Sequence, residues 1–215
     1  MDNIDQSTPA EQMNHESAMH LSLLIKPELL TIFSKLAERG FRVSVQTGCS
    51  IKELICNQLG IAEDYLENRI QTIFLNAKAV DDLDSTMVTD GSTLALSGAM
   101  PGLVGVTMRR GGFYAALRSQ ISHDRNKLPS QSKNGQITLK LWNLVVKELG
   151  PTFLQQGIWI TGKEVRSFIE RHREELKTGC VSAELEDQPA EVDSLFKTDW
   201  KANLVFLQVK SEQAT

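Results

Sequence analysis

The stretch from Val88 to Gly112, VTDGSTLALSGAMPGLVGVTMRRGG, constrains this chain more than any other. It opens on Asp90-Gly91, a dipeptide that turns a chain because glycine accepts positive φ. Thr93 to Ser97 is a short apolar run of strand length, and a glycine-punctuated segment follows it, ending in Arg109-Arg110-Gly111-Gly112. The first part reads as the closing strand of a sheet. The second reads as the crossing from that sheet to the rest of the chain.

Upstream of this stretch the elements come in a definite order. Residues 1–19 are polar with almost nothing to bury, and a disordered tail is expected there. LSLLIKP reads as a strand ended by Pro27, and Leu29, Leu30, Phe33, Leu36 and Ala37 recur at helical spacing before Gly40. A hairpin of two extended strands is the competing reading of 21–46. Phe41 to Gln46 alternates as a half-buried strand. Ser50 stands three residues before Glu53, the spacing of a capping box, and Ile51, Leu54, Ile55 and Leu59 form an apolar face behind it. AEDYLENR reads as irregular, IQTIFLN as a strand, and Asn76-Ala77-Lys78 as a tight turn in which Ala77 is poorly suited to positive φ.

This order fits an α+β fold, a mixed sheet wrapped over one main helix. The local motifs add to it: Gly48, Ser50 and Leu54, then Asn76, Lys78 and Val80, then Asp90-Gly91, Leu94, Leu96, Pro101 and Gly105. Together they resemble the sulfur-carrier branch of the ubiquitin-like β-grasp superfamily, ThiS and MoaD, over residues 20–106. The resemblance implies a β-grasp domain there. It also implies a protein partner such as an adenylating enzyme, which in that family activates a terminal Gly-Gly carboxylate. This chain departs at that point, because Gly102-Leu103-Val104-Gly105 stands where the tail would end and the chain runs on to Thr215. An internal peptide carbonyl cannot be adenylated as a carboxylate can.

Residues 107–215 resemble nothing familiar and read as a further α+β region. LPSQSKNGQ reads as a polar linker. Ile137 to Leu149 is strongly apolar and reads as a helix closed by Gly150-Pro151, with a strand over ITLKLWN as the alternative. IWI reads as a short strand. Thr161 and Glu164 make a second capping box, opening a helix to Lys177, and an acidic loop after Gly179 leads to a strand over Leu204 to Val209.

The candidate binding residues are Gly102, Gly105, Arg109, Arg110, Gly111 and Gly112. Arg109 and Arg110 beside glycines suit an anion, or serve as solvated surface arginines. Met108 to Gly112 also resembles the R-x-x-G-G tails of ubiquitin-like modifiers, so a precursor processed after Gly112 stands beside a simple hinge. Cys49, just before a helix start, is the one candidate nucleophile, since a helix N-terminus lowers a thiol pKa. A buried inert thiol is its alternative. The third reading of function is therefore a small thiol-dependent enzyme or redox protein.

Composition narrows the classes. The net charge of -4 and pI near 5.6 give no basic excess for a duplex binder, and Lys163, Arg166, Arg171, Arg173 and Lys177 are offset by Glu164, Glu170, Glu174 and Glu175. Three cysteines, widely spread, argue against a disulfide scaffold, and the four histidines show no metal-ligand spacing. No apolar run reaches the ~20 residues of a membrane span. The expectation is a cytoplasmic β-grasp module that binds a protein partner, with no cofactor, metal, nucleic acid or membrane.

Overall fold

The computed structural model describes residues 18–118, 132–200 and 204–212. The tail expected at residues 1–19 lies almost wholly outside them, as does part of the linker expected at 128–136. In chain order the strands are β1 (Met19–Ile25), β2 (Phe41–Thr47), β3 (Thr72–Leu75), β4 (Lys78–Ala79), β5 (Thr93–Ser97), β6 (Lys133–Trp142), β7 (Ile158–Ile160), β8 (Cys180–Leu185), β9 (Gln188–Ala190) and β10 (Val205–Ser211). The helices are α1 (Leu30–Arg39), α2 (Ile51–Glu53), α3 (Glu63–Asn68), α4 (Gly102–Met108), α5 (Leu144–Gln156), α6 (Gly162–Arg171), α7 (Arg173–Gly179) and α8 (Val192–Leu195). The fold is mixed α+β.

Among the described residues all ten strands join one mixed sheet in the order β4-β3-β5-β6-β2-β7-β10-β1-β8-β9. β6 sits inside it, parallel to β5 on one edge and antiparallel to β2 on the other. β1 does not lie beside β2, as adjacency in sequence suggests; it runs parallel to β10 and antiparallel to β8. The two parts of the chain are thus interleaved, with a strand from beyond residue 106 between β5 and β2. Alternation along the strands fixes the buried face. Phe41, Val45, Leu94, Leu96, Ile137, Leu139, Leu141, Leu207 and Val209 are all buried, and α1 and α5 pack on β6. A single apolar cluster runs from Leu21 to Val209.

Several local expectations change. Residues Lys133–Trp142 form a strand, because the alternation Ile137, Leu139, Leu141 meets a partner on both edges; the helix starts only at Leu144. That helix passes through Gly150 and Pro151 without ending, and Gly157 with φ 101 closes it. AEDYLENR is helical as α3, since Leu66 turns into the core while its polar neighbours face solvent. The acidic loop after Gly179 is instead the hairpin β8–β9, turned by Glu186 and Asp187 at positive φ. The helix over 162–177 breaks at His172.

The second capping box is complete, Thr161 accepting from the Glu164 N–H while the Glu164 carboxylate accepts from the Thr161 N–H. At Ser50 only half of it forms: its hydroxyl accepts from the Glu53 N–H. The next donors of α2 go elsewhere, Ile51 N–H to the Thr86 carbonyl and Lys52 N–H to the Leu83 carbonyl. Past Glu53 the helix widens into a π turn, Leu54–Gln58, and the Gln58 amide bonds both backbone groups of Gln46. Gln58 thereby acts as a surrogate partner for β2.

The β3–β4 turn holds Asn76 at φ 50 and Ala77 at φ 64, the left-handed pair of a type I′ hairpin. A β-carbon in that region costs about 1 kcal/mol relative to glycine. Ala77→Gly is expected to raise Tm by about 2–4 °C in a thermal melt. A lower Tm would contradict the turn as described.

Candidate functional site

The glycine segment does not extend as a tail. After β5, Gly98 to Pro101 leads into α4, whose first residue, Gly102, has φ 73. Gly105 lies against the Met100 carbonyl, where an added β-carbon would stand 1.8 Å from the oxygen. The close loop back onto Met100 therefore demands glycine. A helix rich in glycine has low intrinsic propensity, and α4 leaves its apolar side chains outward: Leu103 is 75% exposed, Val104 60% and Val106 47%. Beyond it Phe113 is 92% exposed and stacks edge-on with Tyr114, ring centroids 5.2 Å apart.

Residues 109–112 form a pinned turn and not a loose hinge. The Arg110 N–H donates to the Gln71 carbonyl, the Gly111 N–H to the Asp81 carboxylate, and the Gly112 N–H to the Arg109 carbonyl. The Arg110 guanidinium bonds the Leu66 carbonyl and pairs with Glu67 at 3.2 Å. Arg118, almost fully buried, pairs with the same Asp81 at 2.6 Å and also donates to the Arg109 carbonyl. Asp81 thus holds the turn from two sides. The carboxylates at Asp81, Asp82 and Asp84 do not announce this role in the sequence, because the partners of Asp81 lie at residues 111 and 118.

Beside the turn is a cavity of about 600 Å³ lined by Lys52, Glu67, Gln71, Asp81, Asp84 and Arg109, among others. Its wall mixes carboxylates and cations. Lys52 is committed to Glu63 at 2.5 Å and Arg110 to Glu67. Of the two arginines considered for an anion, Arg110 is already neutralised. The structure brings Arg109, Arg110 and Gly111 to this cavity, whereas Gly102 and Gly105 lie in α4 outside its lining. Among the described residues no cluster of His, Cys, Asp and Glu is arranged to hold a metal ion.

Cys49 lies elsewhere, buried at the start of α2. Its thiol donates to the Gln46 carbonyl and accepts from the Gln58 amide. Burial pushes its pKa up, and the nearby Glu53 charge pushes the same way. The helix N–H groups that would stabilise a thiolate are occupied by Ser50, Leu83 and Thr86. The Gln58 N–H donated to the sulfur works the other way, but burial outweighs it and the net shift is upward.

Comparison with family models, with curated proteins and with solved structures returns no match for this chain. The exposed apolar surface on α4 and Phe113 is what sequence reasoning missed. The sequence signal for it is weak: at 100° per residue Leu103, Val104 and Val106 spread over about 160° of the helix, a broad apolar arc that does not say whether it is covered.

Two outcomes are expected. Iodoacetamide at pH 8 should label Cys49 far more slowly in the folded chain than in urea, followed by peptide mass spectrometry; equal rates would mean an accessible thiolate. Gly105→Ala should abolish α4 as an ordered helix, seen as loss of amide protection over 105–109, while the Tm of the sheet stays within about 2 °C.

Proposed function

We propose that this protein is a non-catalytic binding module built on a rearranged β-grasp, and that its protein partner docks on α4 and the Phe113–Tyr114 pair. The sheet order supports the fold half of this reading. β4-β3-β5-β6-β2 has the β-grasp order, with the short β4 at one edge, β5 parallel to its central neighbour, and α2 leading from β2 towards β3. In this reading β6 stands where a β-grasp has its first strand, although it follows the other four in the chain. The motif resemblance over residues 20–106 points the same way.

The observation that carries the function is the exposure of Leu103, Val104, Val106 and Phe113 in the place where a sulfur carrier would present its tail. Large apolar groups gathered on a surface mark interaction sites more often than chance placement does. An adenylating enzyme is the partner class implied by the resemblance, and its docking on this surface would need no terminal carboxylate.

The two other readings meet physical obstacles. Processing after Gly112 would cut β6 away from β5 and β2, so the released piece would lack a central strand. The Gly111-Gly112 peptide is also held in a hydrogen-bonded turn, whereas a protease needs it extended. A thiol enzyme at Cys49 would need the thiolate that its surroundings disfavour.

The test is site-specific photo-cross-linking of the full chain in extract of its native host. A probe at residue 103 is expected to give a discrete adduct that Phe113→Asp removes, while a probe at exposed Lys163 gives none. Absence of an adduct, or equal adducts from both positions, would overturn the reading. An adduct at twice the chain mass would replace the foreign partner with a second copy of this chain.

A further inference from the structure

A different surface carries a second binding property. The strands that bury Phe41, Leu139 and Leu207 on one face present the alternate residues on the other, and the register aligns these into a row across six strands. Thr93 on β5 lies opposite Thr138 on β6, Thr138 opposite Arg42 on β2, and Arg42 opposite Trp159 on β7. Trp159 lies opposite Phe206 on β10, and Phe206 beside His20 on β1. The three rings at the end of the row form a cluster: Trp159 to Phe206 at 5.0 Å, Phe206 to His20 at 5.4 Å, and His20 to Trp159 at 6.1 Å.

None of these rings is in the main core. Trp159 and Phe206 are half-buried and His20 is exposed. Gly157 underlies the cluster; an added β-carbon there would stand 2.0 Å from the Phe206 ring. The ring therefore lies flat over backbone. Gly40 plays the same part for the stem of Lys140, which would meet a β-carbon at 2.9 Å.

The charge on this face differs from that of the whole chain. Its positions on β5, β6, β2, β7, β10 and β1 include Arg42, Lys140 and Lys210, interspersed with Ser44, Gln46, Gln136 and Gln208, and include no Asp or Glu among the described residues. The nearest carboxylates belong to the β8–β9 hairpin: Glu184, opposite Ser22, and Glu186, which accepts from the His20 N–H at 2.8 Å. The overall charge of -4, which disfavours a duplex binder, is carried on other surfaces.

We infer that this face binds single-stranded nucleic acid, RNA in the first instance, with bases stacked on Phe206, Trp159 and His20 and the backbone paired to Arg42 and Lys140. Aromatic rings on adjacent strands of a sheet, flanked by cations and side-chain amides, supply the two components such binding needs: π-faces for bases and neutralisation of phosphates. A sheet face is too broad and flat for the major groove of a duplex, so the duplex is the disfavoured form. This inference is independent of the α4 reading.

The test uses the full chain and a fluorescein-labelled 12-nucleotide oligouridylate in an anisotropy titration, at 50 mM and 200 mM salt. Saturable binding is expected, weakening with salt, with a blunt-ended RNA duplex of the same length bound at least about tenfold more weakly. Phe206→Leu and Trp159→Leu keep apolar volume in the sheet and should each weaken binding about 5–100-fold. Arg42→Gln should weaken it several-fold and flatten the salt dependence, whereas Lys163→Gln on α6 should not. Circular dichroism and Tm on each variant separate lost stacking from lost fold. No anisotropy change at micromolar protein in 50 mM salt would overturn the inference. So would binding that the three face variants leave intact, equal binding of duplex, or a probe at Ser44 that captures protein in place of the oligonucleotide.

Discussion

Strand β6 has both backbone edges satisfied by strands that precede it by many residues, β5 in parallel and β2 in antiparallel register. Its inward side chains Ile137, Leu139 and Leu141 are all buried. Remove it, and β5 and β2 would each expose a ladder of unpaired N–H and C=O groups over an opened core, which is costly for the chain and an invitation to aggregation. The Asp90-Gly91 turn is bound to the same strand, the Asp90 carboxylate accepting from the Gln136 N–H and the Gly91 N–H donating to the Gln136 carbonyl. The stretch that dominates the sequence is therefore completed by a strand some forty residues later.

This dependence explains which parts were legible beforehand. Alternation over Phe41 to Gln46 and the apolar run Thr93 to Ser97 announce strands locally, and Thr161 with Glu164 announces a helix start, because each signal and its cause lie within a few residues. The neighbours of β1 were not legible, since its partner β10 is at the other end of the chain and nothing local specifies long-range pairing. β8 was hidden by its charges, Glu184 among them, which suit a strand near a sheet edge as well as a loop. The candidate site was half legible. Glycine marked Gly102, Gly105, Gly111 and Gly112 as positions of special backbone, but not that Met100 and Asp81 are what make them special.

The helices α3 and α5 are joined on the same logic of distant partners. Glu148 on α5 accepts from the Tyr65 hydroxyl at 2.6 Å and pairs with Arg69. Those partners, Arg69 first, hold the Glu148 carboxyl below its ordinary pKa, while burial and then Glu148 raise that of Tyr65. A depressed carboxyl contributes stability above its unfolded pKa, and that contribution fades as pH falls through the folded value. The link sits beside Leu144 and Gly98, close to the entry to α4.

The two proposed surfaces divide the molecule's exposed chemistry, apolar on α4 and aromatic with cationic neighbours on the sheet, and both rely on the interleaved sheet. The most direct test of that sheet is the amide spectrum of residues 1–112 expressed alone, beside the same fragment mixed with residues 113–215. Collapsed dispersion is expected for the isolated fragment, with recovery of dispersed, exchange-protected amides for β2 and β5 when the second fragment supplies β6. A dispersed spectrum and cooperative melting from residues 1–112 alone would contradict it.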